Sequence, residues 1–250
     1  MIELKSSQQI EKIKEASQIL VAVINSLKKE LRAGITTESL DKIAYEKILS
    51  RNARPAFLGY RGYPKSICCS INEEVVHGIP RNRIISEGDL VSVDVGVEMD
   101  GFYSDAALTV GIGNIKNNAA KLISTTKDAL YKGLDVLKPG NRLSDLSFAI
   151  QSHIENNGLS VIKEFVGHGI GLQLHEAPEI PNFGKPGLGV ELKPGMVLAI
   201  EPMASIGDWK TQILSDGWTA ITKDKSLSAH FEHTVCVTEQ GHEILTEGIF

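Results

Sequence analysis

The sequence has 250 residues, of which 42% are hydrophobic and 23% are charged, and its formal net charge is −5. This composition is ordinary for a globular protein with an ample core, and the acidic balance argues against a general nucleic-acid-binding surface. No apolar run predicts a membrane span, and no apolar stretch behind a basic cluster predicts a signal peptide. Three cysteines without CxxC spacing predict reduced thiols and a cytoplasmic protein, with Cys236 buried in a strand.

Apolar residues recur at helical spacing in four stretches of the chain. Gly34 is predicted to end the first helix, and Thr37 is predicted to cap the second. A connector at 111–118 separates these two helices and the strands that follow them from a second pair of helices. The predicted helical stripes are 10–31, 40–48, 122–137 and 146–154.

The stretch 90–110 predicts two strands joined by a turn at Asp100-Gly101. A loop from Glu98 to Gly101 would place Asp94 directly opposite Asp105, on one face, with Cβ atoms about 4.5–5.5 Å apart. Two carboxylates so close repel each other, and divalent cations between them would let both stay ionised. A slipped register, in which one of the two faces water, is the alternative.

Acidic residues recur in the same pattern in the second half. In each half one acid lies six positions after a glycine, and a later acid lies five positions before a valine. These residues are Asp94 and Asp105 in the first half, and Glu201 and Glu232 in the second. The equivalent acids are therefore expected to converge at one place.

The pattern predicts an α/β (α+β) fold in which two pseudo-symmetric αα-β halves share an antiparallel sheet, with the helices on one face. The halves are about 1–112 and 118–250, and because they share a sheet they are expected to form a single domain of residues 1–250. The four converging carboxylates would carry about four negative charges, which two divalent cations could balance. A dinuclear site of this kind activates a water molecule and polarises a carbonyl. His168, which lies among glycines before the Glu201 strand, is a candidate nitrogen ligand.

Several motifs resemble those of the type I methionine aminopeptidases. They are His-Gly-Ile-Pro at 77–80, Asp94 with Asp105, Gly-His-Gly-Ile-Gly at 167–171, His175-Glu176, Pro-Gly-Met at 194–196, Glu201-Pro202 and Phe-Glu-His-Thr at 231–234. The resemblance covers essentially the whole chain and implies the pita-bread fold. It also implies that the protein removes the initiator methionine from nascent proteins whose second residue is small.

The resemblance further implies two divalent metal ions (Co, Mn, Fe or Zn) that share a bridging hydroxide. Asp94 would bind one ion, His168 and Glu201 would bind the other, and Asp105 and Glu232 would bind both. Glu201 would also handle the proton.

Other residues are assigned to the substrate by the same resemblance. His77 and His175 would contact the scissile amide. The residues that would line the methionine pocket are Phe57, Tyr60, Tyr63, Cys68, His77, Leu174 and Trp218. A monovalent cation is implied near Asn72 and Ser228. The implied partners are N-terminal methionyl peptides, nascent chains and the ribosome, and the implied state is a monomer that binds neither a membrane nor a specific nucleic acid.

Two alternatives stay open. A proline-directed peptidase of the same fold, such as aminopeptidase P or prolidase, usually carries a large N-terminal domain, whereas about 90 residues precede Asp94 here. A non-catalytic binding protein of this fold would be expected to have lost metal ligands, and all five are present. Among the remaining histidines, His230 and His233, which flank Glu232, are expected to face away from the site.

Overall fold

The computed structural model describes residues 2–250. Its helices are α1 (Ser7–Glu30), α2 (Thr37–Leu49), α3 (Asn117–Asp135) and α4 (Leu143–Asn156). Its strands are β1 (Arg54–Pro55), β2 (Ile67–Ile71), β3 (Glu74–Val76), β4 (Leu90–Met99), β5 (Phe102–Gly111), β6 (Ser160–Val161), β7 (Gly167–Gly169), β8 (Glu176–Ile180), β9 (Val197–Ile200), β10 (Met203–Ser205), β11 (Thr211–Ile213), β12 (Ala220–Thr222), β13 (Ser228–His230), β14 (His233–Thr238) and β15 (Gly241–Ile244). None of the helices in this part of the chain is long and apolar enough to span a membrane.

The four predicted helices are present, and their ends follow from local capping. A capping box starts α1, because Ser6 and Gln9 satisfy each other's backbone amides. The cap of α2 is Thr36, whose hydroxyl accepts a 3.2 Å hydrogen bond from the amide of Ser39. The prediction that Thr37 caps this helix was wrong by one residue, since Thr37 already belongs to its first turn.

The strands pair in four antiparallel sheets instead of one continuous sheet. Their orders are β1-β4-β2 with β5 paired to β4, β13-β10-β6, β11-β12-β3, and β15-β14-β9-β7-β8. Strand β5 meets the second half of the chain at a short junction, where the amide of Glu232 donates to the carbonyl of Ala107 at 2.9 Å. This junction brings the central hairpin of the first half against the last strands of the second.

The hairpin register differs from the prediction. The loop is the two-residue turn Asp100-Gly101, whose φ angles are both positive (52° and 82°), as a tight type I′ connection requires. Asp94 therefore lies opposite Ala107, and Asp105 lies opposite Gly96. The predicted direct pairing of the two aspartates was wrong by two positions. Because side chains alternate with a period of two, this even shift keeps both on one face as diagonal neighbours.

The helices cover the opposite face of this hairpin. Val93 and Val95, which flank Asp94 in β4, are buried in a core that also contains Leu20 and Ile24 of α1. Successive side chains of a strand point to opposite faces, so packing the valines under α1 directs Asp94 to the other side. The core thus fixes the direction in which the acidic residues point.

Candidate metal centre and substrate cavity

Three of the predicted metal ligands lie within coordinating reach of one another. Ligand atoms of Asp105, His168 and Glu232 all lie within 4.8 Å of each other, and each of these side chains is buried. Asp94 and Glu201 line the same cavity, which holds about 130 Å³ of space. The structure therefore brings together all five side chains of the predicted set.

Main-chain contacts across the junction fix Asp105 beside Glu232. The hydroxyl of Thr234 accepts from the amide of Asp105 at 3.0 Å and donates to the carbonyl of Asp105 at 2.7 Å. The amide of Glu232, two residues before Thr234, is held by Ala107, two residues after Asp105. This pairing joins the two acids, which are far apart in sequence, through their own backbone groups, the backbone of Ala107 and the Thr234 hydroxyl, and leaves their carboxyl groups free.

Glycines on both sides of His168 allow its strand to approach its neighbours. A Cβ on Gly167 would lie 2.4 Å from the carbonyl oxygen of Ala199, and one on Gly169 would lie 2.3 Å from that of Ala177. The Nδ1 atom of His168 lies 2.9 Å from the carbonyl oxygen of Gly169. A hydrogen bond from Nδ1–H to this carbonyl leaves Nε2 as the free lone pair, which is the form that binds a metal.

Burial raises the pKa values of all four carboxyl groups, and acidic neighbours raise those of Asp105, Glu201 and Glu232 further. Burial raises the pKa of Asp94 to about 7. Burial, followed by the charges of Glu232 and Asp94, raises the pKa of Asp105 well above its ordinary value. The pKa values of Glu201 and Glu232 are also raised, first by burial and then by the charges of their acidic neighbours. The cluster is therefore unfavourable when fully ionised without a counter-charge.

These residues fit a divalent cation. In the described part of the chain, Asp94 Oδ1, Asp105 Oδ1 and Glu232 Oε1 are buried and have no hydrogen-bond partner. Buried polar atoms normally have partners, and unpaired carboxylate oxygens that face each other are the donors that hard and borderline divalent ions prefer. A bound cation would satisfy both the unpaired oxygens and the like charges.

Two further histidines face the cavity. His77 follows β3 with φ of 59°, and the next residue must be glycine, because a Cβ on Gly78 would lie 2.5 Å from the carbonyl oxygen of Cys69. The ring of His175 stacks on Tyr60 at 5.1 Å, and its Nδ1 lies 2.9 Å from the Tyr60 hydroxyl. Burial lowers the pKa of His77 to about 4, and desolvation followed by the neighbouring His168 lowers that of His175.

Aromatic rings and a thiol form the apolar part of the cavity. Tyr63 packs edge-on against Trp218 at 5.1 Å and against Phe57 at 6.4 Å. Trp218 in turn lies 6.1 Å from the ring of His77. Cys68 pairs with Asp94 between adjacent strands, which sets its thiol beside the acidic cluster. The predicted pocket residues in the cavity wall are Phe57, Tyr60, Tyr63, Cys68, His77 and Trp218.

Three predicted residues lie outside this wall. Leu174 is buried, but it lines a neighbouring surface groove that it shares with Tyr60. Asn72 and Ser228 contact each other through a 2.9 Å hydrogen bond from the Ser228 amide to the Asn72 carbonyl. Neither of them lines the cavity, although Ser228 Oγ is buried and has no hydrogen-bond partner among residues 2–250.

The sequence reasoning missed His230. Its ring lines the cavity, and its Nε2 lies 3.8 Å from Glu201 Oε2. The expectation that it faces away from the site was wrong, because His230 is two positions from Glu232 and so shares its side of an extended chain. The same rule places His233 on the other side, where its ring contacts Phe250 at 4.5 Å. Arg61 and Val76 also line the cavity and carried no signal in the sequence.

Comparisons with known proteins place this geometry in a family. The model of metallopeptidase family M24 matches residues 11–239. A methionine aminopeptidase of Clostridium perfringens is 49% identical over 246 residues, which are 98% of this chain and 99% of that protein. The crystal structure of methionine aminopeptidase from Rickettsia prowazekii matches with a TM-score of 0.97 and 41% identity, over 98% of this chain and 100% of that one. Prolidase from Pyrococcus furiosus (TM-score 0.81, 24% identity) is matched over 98% of this chain and 65% of its own, and this likeness is one of fold alone.

These matches confirm the predicted pita-bread fold of mixed helices and antiparallel strands. Membership of a metallopeptidase family also implies divalent-metal binding, which agrees with the buried Asp, His and Glu donors. Because the matches with the methionine aminopeptidases extend over nearly the full length of both chains, the protein belongs to metallopeptidase family M24 and, within it, to the type I methionine aminopeptidases.

Proposed function

We propose that this protein is a metal-dependent aminopeptidase that removes methionine from the N-terminus of peptides and nascent chains whose second residue is small. One observation carries the proposal: the buried acidic cluster, with its unpaired oxygens, lines the same cavity as an apolar wall of aromatic rings and a thiol. Carboxylates with a histidine suit a hydrolytic metal centre, and the neighbouring wall suits a flexible, polarizable thioether side chain.

The proposed centre holds two divalent cations. Asp94 would hold one, His168 and Glu201 the other, and Asp105 and Glu232 both. Four carboxylates in one buried cluster support this number, because two divalent charges would balance them. When bound, the ions would supply Lewis-acid polarisation of the scissile carbonyl and a water molecule of lowered pKa. Cobalt, manganese, iron and zinc all accept this set of oxygen donors with one nitrogen.

Glu201 is the proposed proton carrier. Its carboxyl group lines the cavity, where it would accept a proton from the attacking water and pass it to the leaving amine. His77 and His175 are proposed to donate hydrogen bonds to the scissile amide and to the oxyanion that develops from it. Their lowered pKa values keep both rings neutral near pH 7, so each donates through one ring N–H.

The methionine side chain is proposed to lie among Tyr63, Cys68 and Trp218, with Phe57 and Tyr60 at the edges. Edge-to-face packing fixes these rings against each other, so the pocket is largely preformed. A monovalent cation at Asn72 and Ser228 is a secondary part of the proposal, supported by the buried and unpaired Ser228 hydroxyl. Removal of methionine during translation would place a monomeric enzyme in the cytoplasm, near the ribosome.

The test is release of the N-terminal residue from peptides by the purified protein, after chelation and separate reconstitution with manganese, cobalt, iron and zinc. We expect no turnover without metal, turnover with at least one metal, and faster cleavage of Met-Ala and Met-Gly peptides than of Met-Lys peptides. Leu-Ala and Ala-Pro peptides are the controls for the first residue and for a proline-directed peptidase. Faster cleavage of the Ala-Pro peptide would favour the proline-directed alternative, and activity that survives complete chelation would reject the metal mechanism.

A further inference from the structure

A buried lysine from the N-terminal segment reaches the residue next to His175. Lys5 Nζ lies 2.5 Å from Glu176 Oε2, and the Lys5 side chain is 1% exposed. Elsewhere in the described chain, lysines that pair with acids are far more exposed, as Lys14 is at 26%. Burying an ammonium group carries a desolvation cost that a surface ion pair avoids. Stability alone therefore does not explain why Lys5 pairs with Glu176 in the interior.

The other oxygen of Glu176 organises the segment that carries His175. Glu176 Oε1 accepts hydrogen bonds from the amides of Leu172 at 2.6 Å and Gln173 at 2.9 Å. Residues 171–175 form neither helix nor strand, so these bonds replace the ladder that would otherwise fix the backbone. Glu176 therefore fixes the backbone of this segment, and Lys5 fixes Glu176.

The surrounding backbone makes room for the lysine. A Cβ on Gly171 would lie 2.6 Å from Lys5 Cε, and one on Gly195 would lie 2.9 Å from the Lys5 carbonyl oxygen. The amide of Lys5 also donates to the Gly195 carbonyl at 2.7 Å. The lysine is thus held at its backbone on one side, while its stem passes closely over Gly171 on the other.

We infer that Lys5, through Glu176, is a positioning residue for His175. The buried pair holds the segment so that the His175 ring stacks on Tyr60 and lies 4.2 Å from the ring of His168. The inference rests on the proposed function, in which His175 contacts the scissile amide. If His175 stabilises the transition state, moving its ring out of place lowers kcat. A displacement of about 1 Å lowers the rate by up to about 10²-fold.

The test is a double-mutant cycle on the metal-loaded enzyme with a methionyl peptide. We expect Lys5→Met to lower kcat about 10- to 100-fold with little change in KM. In a His175→Ala background, the same substitution should lower kcat less than about 3-fold, because the residue through which it acts is already gone. Lys14→Met, which breaks the two ion pairs of Lys14 with Glu11 and Glu243 without touching this segment, is the matched control and should change kcat less than about 2-fold.

A second readout does not depend on turnover. Hydrogen exchange of the 171–176 segment should accelerate at least about 10-fold in Lys5→Met and not in Lys14→Met. If Lys5→Met fails to fold, Lys5→Met combined with Glu176→Gln removes both buried charges and keeps an oxygen that accepts from the two amides.

Each result has a distinct meaning. Equal losses of kcat in the wild-type and His175→Ala backgrounds would overturn the inference, as would unchanged exchange of the segment. A wild-type enzyme that releases no methionine would instead overturn the proposed function, and the exchange measurement would still decide whether Lys5 orders the segment.

Discussion

Replacing Asp105 with Asn separates a metal site from an ordinary buried cluster, because it should move stability and activity in opposite directions. Ligand atoms of Asp105 and Glu232 lie within 4.8 Å of each other. At an effective dielectric constant of about 20, two unit charges at that separation repel by about 3.5 kcal/mol. Burial raises the pKa of Asp94 to about 7, so part of the cluster is protonated near neutral pH. Partial protonation already relieves part of this repulsion, so the free energy of unfolding of the metal-free variant should rise by only about 1–2 kcal/mol.

The pH dependence follows from the same shifts. Carboxyl groups of the cluster keep their protons in the folded metal-free protein at pH values where they are ionised in the unfolded chain. The folded state therefore binds more protons than the unfolded state between about pH 4 and the raised folded pKa values, and its stability falls as pH rises through this range. For Asp94 that window ends at about pH 7. Its contribution to the unfolding free energy is fully present below the unfolded pKa and is lost as pH rises through the window. Asp105→Asn removes one of the interacting charges and should flatten this slope.

The metal-loaded enzyme should respond in the opposite sense. Loss of the Asp105 carboxylate should weaken divalent-metal binding, measured by calorimetry, and lower kcat by the order of 10²–10³-fold. Urea unfolding of the metal-free proteins from pH 4 to 8 gives the stability arm. Asp100→Asn is the matched control, since it makes the same chemical change at the exposed turn of the same hairpin, where asparagine is well accommodated. Lower stability of metal-free Asp105→Asn, with unchanged metal affinity, would refute the reasoning.

Two further substitutions test the backbone and the pocket. Gly167→Ala places a Cβ 2.4 Å from the Ala199 carbonyl oxygen. It should therefore lower the free energy of unfolding in urea by about 1–3 kcal/mol and weaken metal binding. Gly184→Ala is the control and should do neither, because its Cβ would lie 3.7 Å from the nearest side-chain atom, on Ser147. Trp218→Ala should raise KM for methionyl peptides about 30-fold, in line with the 2 kcal/mol or more that a buried tryptophan contact can carry, and an unchanged KM would remove Trp218 from the pocket.

The helices were predictable because each buries a single stripe. Apolar residues at a period of 3.6 identify such a stripe without knowledge of its partner, and α1 buries it against β4 and β5. The hairpin register was harder, because it depends on how many residues the loop takes. Asp100 and Gly101 alone form the turn, and the consequence was a shift of two positions. The site survived that error because only an odd shift would have moved one aspartate to the other face.

The four acidic residues could be found from the sequence because they recur in the same pattern in both halves, and His168 could be found because it lies among glycines. The internal repeat that first connected them stays a prediction. His230 was overlooked although the period of two pointed to it, since it shares the side of Glu232. The contact between Lys5 and Glu176 joins residues 171 positions apart and has no local pattern, so only the folded chain reveals it.

The cavity contains several features that lower the stability of the fold, which indicates that it serves binding and catalysis instead of folding. Unpaired carboxylate oxygens and like charges are concentrated in one place, and His77 adds a positive φ, which costs of the order of 1–3 kcal/mol for a residue other than glycine. A core that served stability alone would replace these groups with apolar side chains, as Val93 and Val95 do on the opposite face. The unfavourable terms on the cavity side are the ones that a cation and a peptide would offset. In the proposed function a cation would neutralise the acids, and a substrate amide would accept hydrogen bonds from the imidazoles. The interactions that destabilise the folded, unliganded cavity would therefore be relieved when its ligands bind, and this relief would strengthen binding.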